Sequence, residues 1–503
     1  MLPTILFVIP QLTIFMKALS QTDRRLFSLV ARAAFSNPFG PERDELDHEI
    51  VGSAQKLPAE ELNRQLRAIV EDSLSPYEKN PGCIETKSFP LKDRELIETV
   101  VLFRSYHRYQ IAFDRFIRDQ EKHGDEPTKM PFAQELEAEL DQCGFDAARR
   151  SKSIALFFQL RRAFYFIQRA VAGQSESSIH LRMQLWRNIF TFSSEWYWKV
   201  LCEKLEDFST LLLGETGTGK SLVAQAIGRS GYIPYDASRE RFSESFTRSY
   251  QSINLSQYPS SLMESELFGH KKGAFTGAIQ SHTGLFARCS EYGAVFIDEI
   301  GDIDVPTQVK LLTVLQDRLF TPVGSHDKQR FKGRVIAATN QNIHALRAQG
   351  RFRNDLYYRL CSDIIELPPL RQRLAENPDE ITVLVEHMTQ GLIGAESTRF
   401  NQMILKKIRS QIPKGYAWPG NVRELEQCIR QICLTGGYRP DPKPAPPARH
   451  SQFMDQVDSG SLSARDLLSG YCELLYQRLQ SFEKVAEATG LDRRTVKRYL
   501  ERI

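Results

Sequence analysis

The chain is 503 residues long, too many for a single hydrophobic core, so about three domains are expected. With 41% hydrophobic and 25% charged residues it has the make-up of a folded globular protein, which excludes a largely disordered one. Lys and Arg number 66 against 62 Asp and Glu, a net +4, so any nucleic-acid surface has to be local; eight scattered cysteines with no C-x-x-C pair exclude the common zinc ribbons and suit a reducing compartment.

Leu2 to Met16 is apolar, yet it is shorter than a membrane span and broken by Pro3, Pro10 and Gln11. It also lacks the basic leader and small-residue cleavage site of an export signal. It reads as a strand or helix of the first domain, or as sequence ahead of a true start at Met16. No membrane association is expected. Residues 1–172 read as a mostly helical amino-terminal domain, to which the family resemblance given below assigns a regulatory or sensory role. Ile97, Val100, Val101, Phe103, Phe113, Phe116 and Ile117 recur at near-helical spacing until Gly124-Asp125-Glu126-Pro127 interrupts them. A second aromatic-rich helix is predicted from Ile154 to about Val171, with Phe157, Phe158, Leu160, Phe164 and Ile167. Both read as helical core, and nothing here has the acidic cluster and phosphoacceptor of a receiver domain.

From about Gly173 short apolar runs alternate with helical stretches: Ser209–Leu213, Tyr250–Ile253, Ala294–Ile297, Arg334–Thr339 and Ile364–Leu367. Such alternation predicts an α/β fold, a parallel sheet with helices on both faces. A helical stretch follows from about Pro378 to Leu434. Gly436-Gly437 and prolines 440, 442, 444, 446 and 447 then predict a stiff linker over 436–460, before short helices over 461–503.

Gly214-Glu215-Thr216-Gly217-Thr218-Gly219-Lys220-Ser221 fits the G-x-x-x-x-G-K-[ST] phosphate loop, between the strand Thr210–Leu213 and a helix opening at Leu222. Glycines let backbone amides converge on phosphate oxygens, and the helix amino terminus adds positive partial charge. Lys220 is expected on the β- and γ-phosphates of ATP, with the Ser221 hydroxyl on Mg²⁺. The strand Ala294–Ile297 runs into Asp298-Glu299, a costly pair of buried-edge carboxylates unless they face a cation or water. Asp298 is expected to hold hydrated Mg²⁺ and Glu299 to polarise the attacking water. Thr339-Asn340, ending the next strand, stand where the γ-phosphate can be read. Arg353 and Arg359 are six apart and cannot share a helix face; they suit arginine fingers reaching a neighbouring subunit's nucleotide.

At this point the sequence resembles the AAA+ activators of sigma-54 RNA polymerase, over about Gly173 to Leu434. The segment Glu264 to His270 is followed by Gly273-Ala274-Phe275-Thr276-Gly277-Ala278, the family's GAFTGA hexapeptide, which the resemblance implies touches sigma-54. The glycines favour a tight projecting turn, and an aromatic at its tip is unfavourable unless something covers it. The resemblance further implies that Asn254 holds the catalytic Glu299 inactive until the γ-phosphate is sensed, and that Arg423, within Trp418 to Leu425, reaches the nucleotide from a helical lid. It places residues 173–435 in one ATPase domain, α/β to about 370 with the lid after. Two stretches depart from the family. Thr191–Asp207, with Trp196, Tyr197 and Trp198, looks like an insertion that leaves the adenine contacts unassigned, and Arg229–Ser249 looks like an added surface helix. Ser221 also stands where many relatives carry Glu; hydrolysis is expected to survive that.

The last residues predict a helix-turn-helix. Phe482, Val485, Ala486 and Thr489 form a packing stripe, Gly490 permits the turn, and Asp492 is a plausible amino-terminal cap. From Asp492 to Arg502, five basic residues stand against Asp492 and Glu501, with Val496, Leu500 and Ile503 facing inward. Arg493, Arg494, Thr495, Lys497 and Arg498 are the candidate contacts to double-stranded DNA. The reading is a cytoplasmic ATP-driven transcription activator of sigma-54 polymerase, bound to upstream DNA and assembling into a homo-hexameric ring. The alternatives are an AAA+ protein remodeller that does not act on polymerase, and a repressor that uses ATP only to oligomerise.

Overall fold

The computed structural model describes residues 18–500 except 54, 81, 203, 205–206, 395–396, 441–452, 454–456, 458–459, 461 and 480. The apolar run to Met16, the prolines 442–447 of the linker, and Glu501 to Ile503 lie outside the described residues. The chain divides into two compact units, one of Met1–Leu405 with Gly420–Arg430, the other of Lys406–Pro419 with Gln431–Ile503. No helix among the described residues is long and apolar enough to cross a membrane.

The first unit opens with a helical bundle: α1 (Gln21–Phe35), α2 (Pro41–Val51), α3 (Ala59–Leu74), α4 (Leu91–His123), α5 (Ala133–Gln142) and α6 (Ala147–Ala170). Local chemistry sets the ends. Ser20 and Asp146 accept the amides of Asp23 and Arg149 at the starts of α1 and α6, and α4 stops at Gly124, where a positive φ of 73° suits glycine. The two helices expected from periodicity lie within α4 and α6, and Ile97, Val101, Phe113 and Phe158 are buried in one core.

Next come α7 (Glu176–Phe190), α8 (Ser194–Trp196) and a π-helical turn, Tyr197–Leu201. The sheet is built of β4 (Tyr250–Asn254), β5 (Ala294–Asp298), β8 (Arg334–Thr339), β1 (Thr210–Leu213) and β9 (Asp363–Glu366), in that spatial order and all parallel. These are the five strands expected, and β5 and β8 are apolar almost throughout, as a sheet covered on both faces requires. One face packs on α10 (Ser260–Phe268), α12 (Val305–Asp317) and α14 (Asn354–Leu360). The other packs on α6, α7 and α9 (Lys220–Gly228).

The expected boundary at 172 therefore falls inside one unit, and cores run across it. Leu156, Ala163 and Ile167 of α6 share a core with Val223 and Ile227 of α9 and with Phe296 and Ile336 of the sheet. Gln159 donates to the Tyr197 hydroxyl at 2.6 Å and to the Ser230 carbonyl at 2.9 Å. The surface helix expected over Arg229–Ser249 does not form. That stretch carries a small antiparallel pair, β2 (Tyr235–Asp236) and β3 (Arg241–Phe242), whose Tyr235 and Phe242, with Ile233 and Phe246, enter the core of the amino-terminal bundle. Phe242 stacks on Phe158 at 4.1 Å. Four large apolar side chains at these spacings bury more area as a plug in a neighbouring core than as a helix on the surface.

Helices α15 (Leu370–Glu376) and α16 (Glu380–Ile393) follow β9. Fully buried Glu380 pairs with Arg373 at 2.7 Å and accepts the amides of Gln174 and Ser175 at 2.6 and 2.9 Å, tying α16 to the start of α7. In the second unit the helices Ala464–Leu479, Phe482–Thr489 and Arg493–Leu500 pack around Cys472, Val485 and Val496.

Candidate active site

All the expected nucleotide-site residues except the two distal arginines meet at the carboxyl edge of the sheet, around β1, where the strand order reverses. After Leu213 the chain turns through Gly214, Gly217 (φ 82°) and Gly219 (φ 103°) into α9. A Cβ on Gly217 would stand 2.2 Å from the Gly420 carbonyl, so only glycine fits. Lys220 is 7% exposed and donates to the carbonyls of Gly214 (2.8 Å) and Glu215 (3.2 Å); burial lowers its pKa. A buried ammonium held only by its own loop, beside the free amides of a helix start, is a cradle for a polyphosphate.

Asp298 and Glu299 end β5 facing this cradle. Burial raises the pKa of both carboxyls, opposed in each by the Lys220 charge. Glu299 has a left-handed backbone (φ 56°), an uncommon state for a non-glycine residue, and accepts the Asn340 amide at 3.2 Å. The Ser221 hydroxyl lies near Asp298 and favours its charged form. That hydroxyl–carboxylate pair next to a phosphate cradle fits Mg²⁺, which takes few protein ligands and shares the rest with phosphate and water.

Three side chains make contacts other than those expected. Asn254 bonds Asp298 at 3.3 Å, not Glu299, because Asn254 and Asp298 are register partners on parallel strands while Glu299 lies one residue beyond the strand. Thr339 is fully buried and its hydroxyl accepts the Gln341 amide, so of the expected pair Asn340 alone reaches the loop, donating to the Thr216 hydroxyl at 2.9 Å. The Glu215 side chain turns to Arg371 (2.6 and 2.8 Å), leaving its backbone to the cradle.

Arg353 stands just before α14, paired with Asp355 at 2.7 Å, and Arg359 is exposed in the last turn of that helix. Among the described contacts neither reaches the phosphate loop of its own chain. Arg423 does: its amide donates to the Gly217 carbonyl at 3.3 Å, and its charge acts on both Lys220 and Asp298. Sequence reasoning missed Asn421. Fully buried with φ 54°, it accepts the Leu370 amide at 2.8 Å and donates to Glu215 and Thr216, each at 3.1 Å. The signal was available: asparagine directly after Gly420 is the side chain that best tolerates a left-handed backbone.

The hexapeptide forms a closed turn. The Gly273 amide donates to Ala278 at 2.8 Å, the Ala278 amide to Phe275 at 3.0 Å, and both glycines have positive φ. Thr276 is exposed and Phe275 is 37% exposed, its ring edge-on to His270 at 4.9 Å. The base is braced by a second hairpin, β6 (Leu319–Phe320) and β7 (Gln329–Arg330), through Lys271 to Val323 (3.0 Å) and Val323 to Gly269 (2.9 Å). In the second unit, Asp492 accepts the amides of Arg494 (2.9 Å) and Thr495 (3.0 Å), as a cap should. The Thr495 hydroxyl is used on Asp492 and Arg493 pairs with Glu483 at 3.0 Å, whereas Arg494, Lys497 and Arg498 present exposed side chains.

Comparison with known proteins agrees with this geometry. The Sigma-54 interaction domain family matches residues 198–366. The hydrogenase transcriptional regulatory protein HoxA of Bradyrhizobium diazoefficiens is 33% identical over 389 residues, 73% of this chain and 72% of that protein. The sigma54-dependent transcriptional regulator SfnR of Pseudomonas fluorescens is 37% identical over 56% of this chain and 70% of its own length. The transcriptional regulator NtrC of Rhizobium meliloti is 41% identical over 47% of this chain and 45% of its own.

Proposed function

The chain belongs to the sigma-54-dependent transcription activators, an ATPase family, and from that premise we propose that it hydrolyses ATP between subunits of a hexameric ring to drive the turn 273–278 against sigma-54. The single observation that carries this reading is the exposure of Phe275 and Thr276 at the tip of a braced turn on the same unit as the phosphate cradle.

Residues 214–221 bind the triphosphate through backbone amides and Lys220. Ser221 and Asp298 would hold Mg²⁺, which when bound neutralises charge on the β- and γ-oxygens. Glu299 orients and polarises the attacking water. Asn340 bridges the cradle to the end of β8, so a γ-phosphate displacing its bond to Thr216 also disturbs its amide's bond to Glu299. Asn254, the last residue of β4, holds Asp298 and passes that disturbance on through residues 255–259 to α10 and the turn. Arg353 and Arg359, with no contact to their own cradle, serve the neighbouring subunit's nucleotide, and Arg423 closes the site from the lid. Arg494, Lys497 and Arg498, with Arg493 and Thr495 beside them, bind upstream DNA from the helices of 461–503. The division of labour is regulatory for 1–172, ATPase for 173–435 and DNA-binding for 461–503, all in the cytoplasm where polymerase acts.

Open-complex formation on a sigma-54 promoter, with purified protein, polymerase and ATP, tests this. Thr276→Ala should abolish open complexes while ATP turnover and DNA binding stay within about twofold. Open complexes at full yield from that variant would remove the turn from its role, and none from the parent protein despite ATP turnover would return the chain to the remodeller reading.

A further inference from the structure

The amino-terminal half holds a cavity of about 1610 Å³, walled by α1, α4, α6, α7 and the π-helical turn. Drug-sized ligands occupy roughly 300–1,000 Å³, so it has room for a large small molecule. Its wall is apolar: Leu102, Tyr106, Leu160, Phe164 and Trp198 all line it and stay only half-buried, although each lies on an element packed into the unit's core. Apolar surface left open in this way gains about 25 cal/mol per Å² when something covers it.

Most cations on the wall are already paired by the protein itself, while Arg32 lies 3.6 Å from Glu42 and Lys92 makes no ion pair among the described residues. Arg24 pairs with Asp93, Arg43 with Asp47, Arg94 and Arg149 with Glu98, and Lys199 with Glu195, each within about 3 Å by ordinary ion-pair geometry. What remains is mixed in sign, since Glu95 lines the same wall, so no single-sign field rewards a charged ligand. A second feature marks the place independently: the turn Tyr197–Leu201 is π-helical, a rare conformation concentrated at functional sites, and it lines the cavity through Tyr197, Trp198 and Lys199.

We propose that this cavity is the binding site for an uncharged, largely apolar small molecule, and that occupancy is transmitted to the ATPase through α6. Leu156 of α6 lines the cavity and also shares the core of the P-loop helix α9. Tyr197, on the cavity wall, accepts from Gln159, which also donates to Ser230 just past the end of α9. A ligand that shifts Tyr197 or α6 thus shifts the end of the helix that carries Lys220. The transmission clause rests on the ATPase reading above; the binding clause does not.

The test uses the full chain and the neutral dye N-phenyl-1-naphthylamine, followed by its fluorescence. One saturable site per chain is expected, weakened at least tenfold by Leu160→Trp, which fills the cavity, with no loss of melting temperature. An aryl-azide form of the dye should label peptides of α4, α6 or residues 197–201, a readout that needs no variant to fold. Unsaturable binding, or labelling elsewhere, overturns the site. A tenfold gain in affinity for a chain begun at Met16 overturns a small molecule as the occupant, because the chain's own first residues would then be filling the space. Saturating dye should change ATP turnover at least twofold in the parent and not in Gln159→Leu; unchanged turnover with intact binding overturns transmission alone. A chain without any ATP turnover would instead overturn the ATPase reading while leaving the binding result standing.

Discussion

At its amino end the helix α9 offers a phosphate cradle whose one charged donor, Lys220, is held by two carbonyls of its own loop. At its carboxyl end the terminal carbonyls are claimed by the amino-terminal bundle: fully buried Arg162 donates to Arg229 at 2.7 Å and to Gly231 at 2.8 Å, and Gln159 donates to Ser230. Burial lowers the Arg162 pKa to about 9, yet no carboxylate pairs with it among the described contacts. A cation is well placed at the negative end of a helix dipole. One end is left open to receive a ligand and the other is saturated to hold a position. A helix anchored in this way can report bundle movement to the nucleotide without any contact between bundle and nucleotide.

The largest effect should come at the open end. Glu299→Gln is expected to lower ATP turnover about 10³-fold, roughly 4 kcal/mol of barrier, with nucleotide affinity retained, as read by phosphate release and a fluorescent-nucleotide titration. Unchanged turnover would remove Glu299 from its role. At the closed end Arg162→Leu should cost about 3 kcal/mol of unfolding free energy by denaturant titration, because two buried carbonyls lose their donors. Lys220→Ala should abolish nucleotide binding with a stability change of about 1 kcal/mol or less, since it relieves a buried charge. Equal destabilisation by the two variants would break the contrast.

A smaller effect comes from inside the bundle. His107 is buried against Phe103 and Tyr106 at 4.3 and 5.2 Å, and burial, with Arg43, Arg67 and Arg161 nearby, pushes its pKa down to about 3, opposed by an interaction with the Gln110 side chain that favours the charged form. Between pH 3 and 6.5 the unfolded chain binds a proton that the folded protein does not. Stability is therefore lost as pH falls, by about 2 kcal/mol from pH 6.5 to pH 5. His107→Phe should flatten that slope in urea titrations across this range. The smallest effect is at the Asp492 cap: Asp492→Ala should cost about 1 kcal/mol and lower the melting temperature of the carboxyl-terminal helices by a few degrees.

Much of the catalytic edge was legible because it depends on local chemistry. A glycine loop between an apolar strand and a helix, and paired carboxylates at a strand end, announce themselves in a few residues each. The contacts of Asn254 and Thr339 were not legible because register and side-chain direction belong to the sheet: Asn254 meets Asp298 across two strands that are 44 residues apart in the chain. Asn421 was passed over since its three partners lie on the far side of the lid turn. The fate of Arg229–Ser249 was illegible for the same reason. Its aromatic residues could be read as apolar, but not as the plug of a core formed by residues more than 80 positions earlier, such as Phe158.

The five strands, the phosphate cradle, the projecting hexapeptide and the terminal helices follow from short-range patterns, which the linear sequence carries by itself. The union of the amino-terminal bundle with the ATPase core, the clamp of Arg162 and Gln159 on the end of α9, and the cavity behind α6 were decided only by the tertiary structure. Burial and packing are pairwise properties of surfaces distant in sequence, and neither spacing nor composition encodes which surfaces will meet.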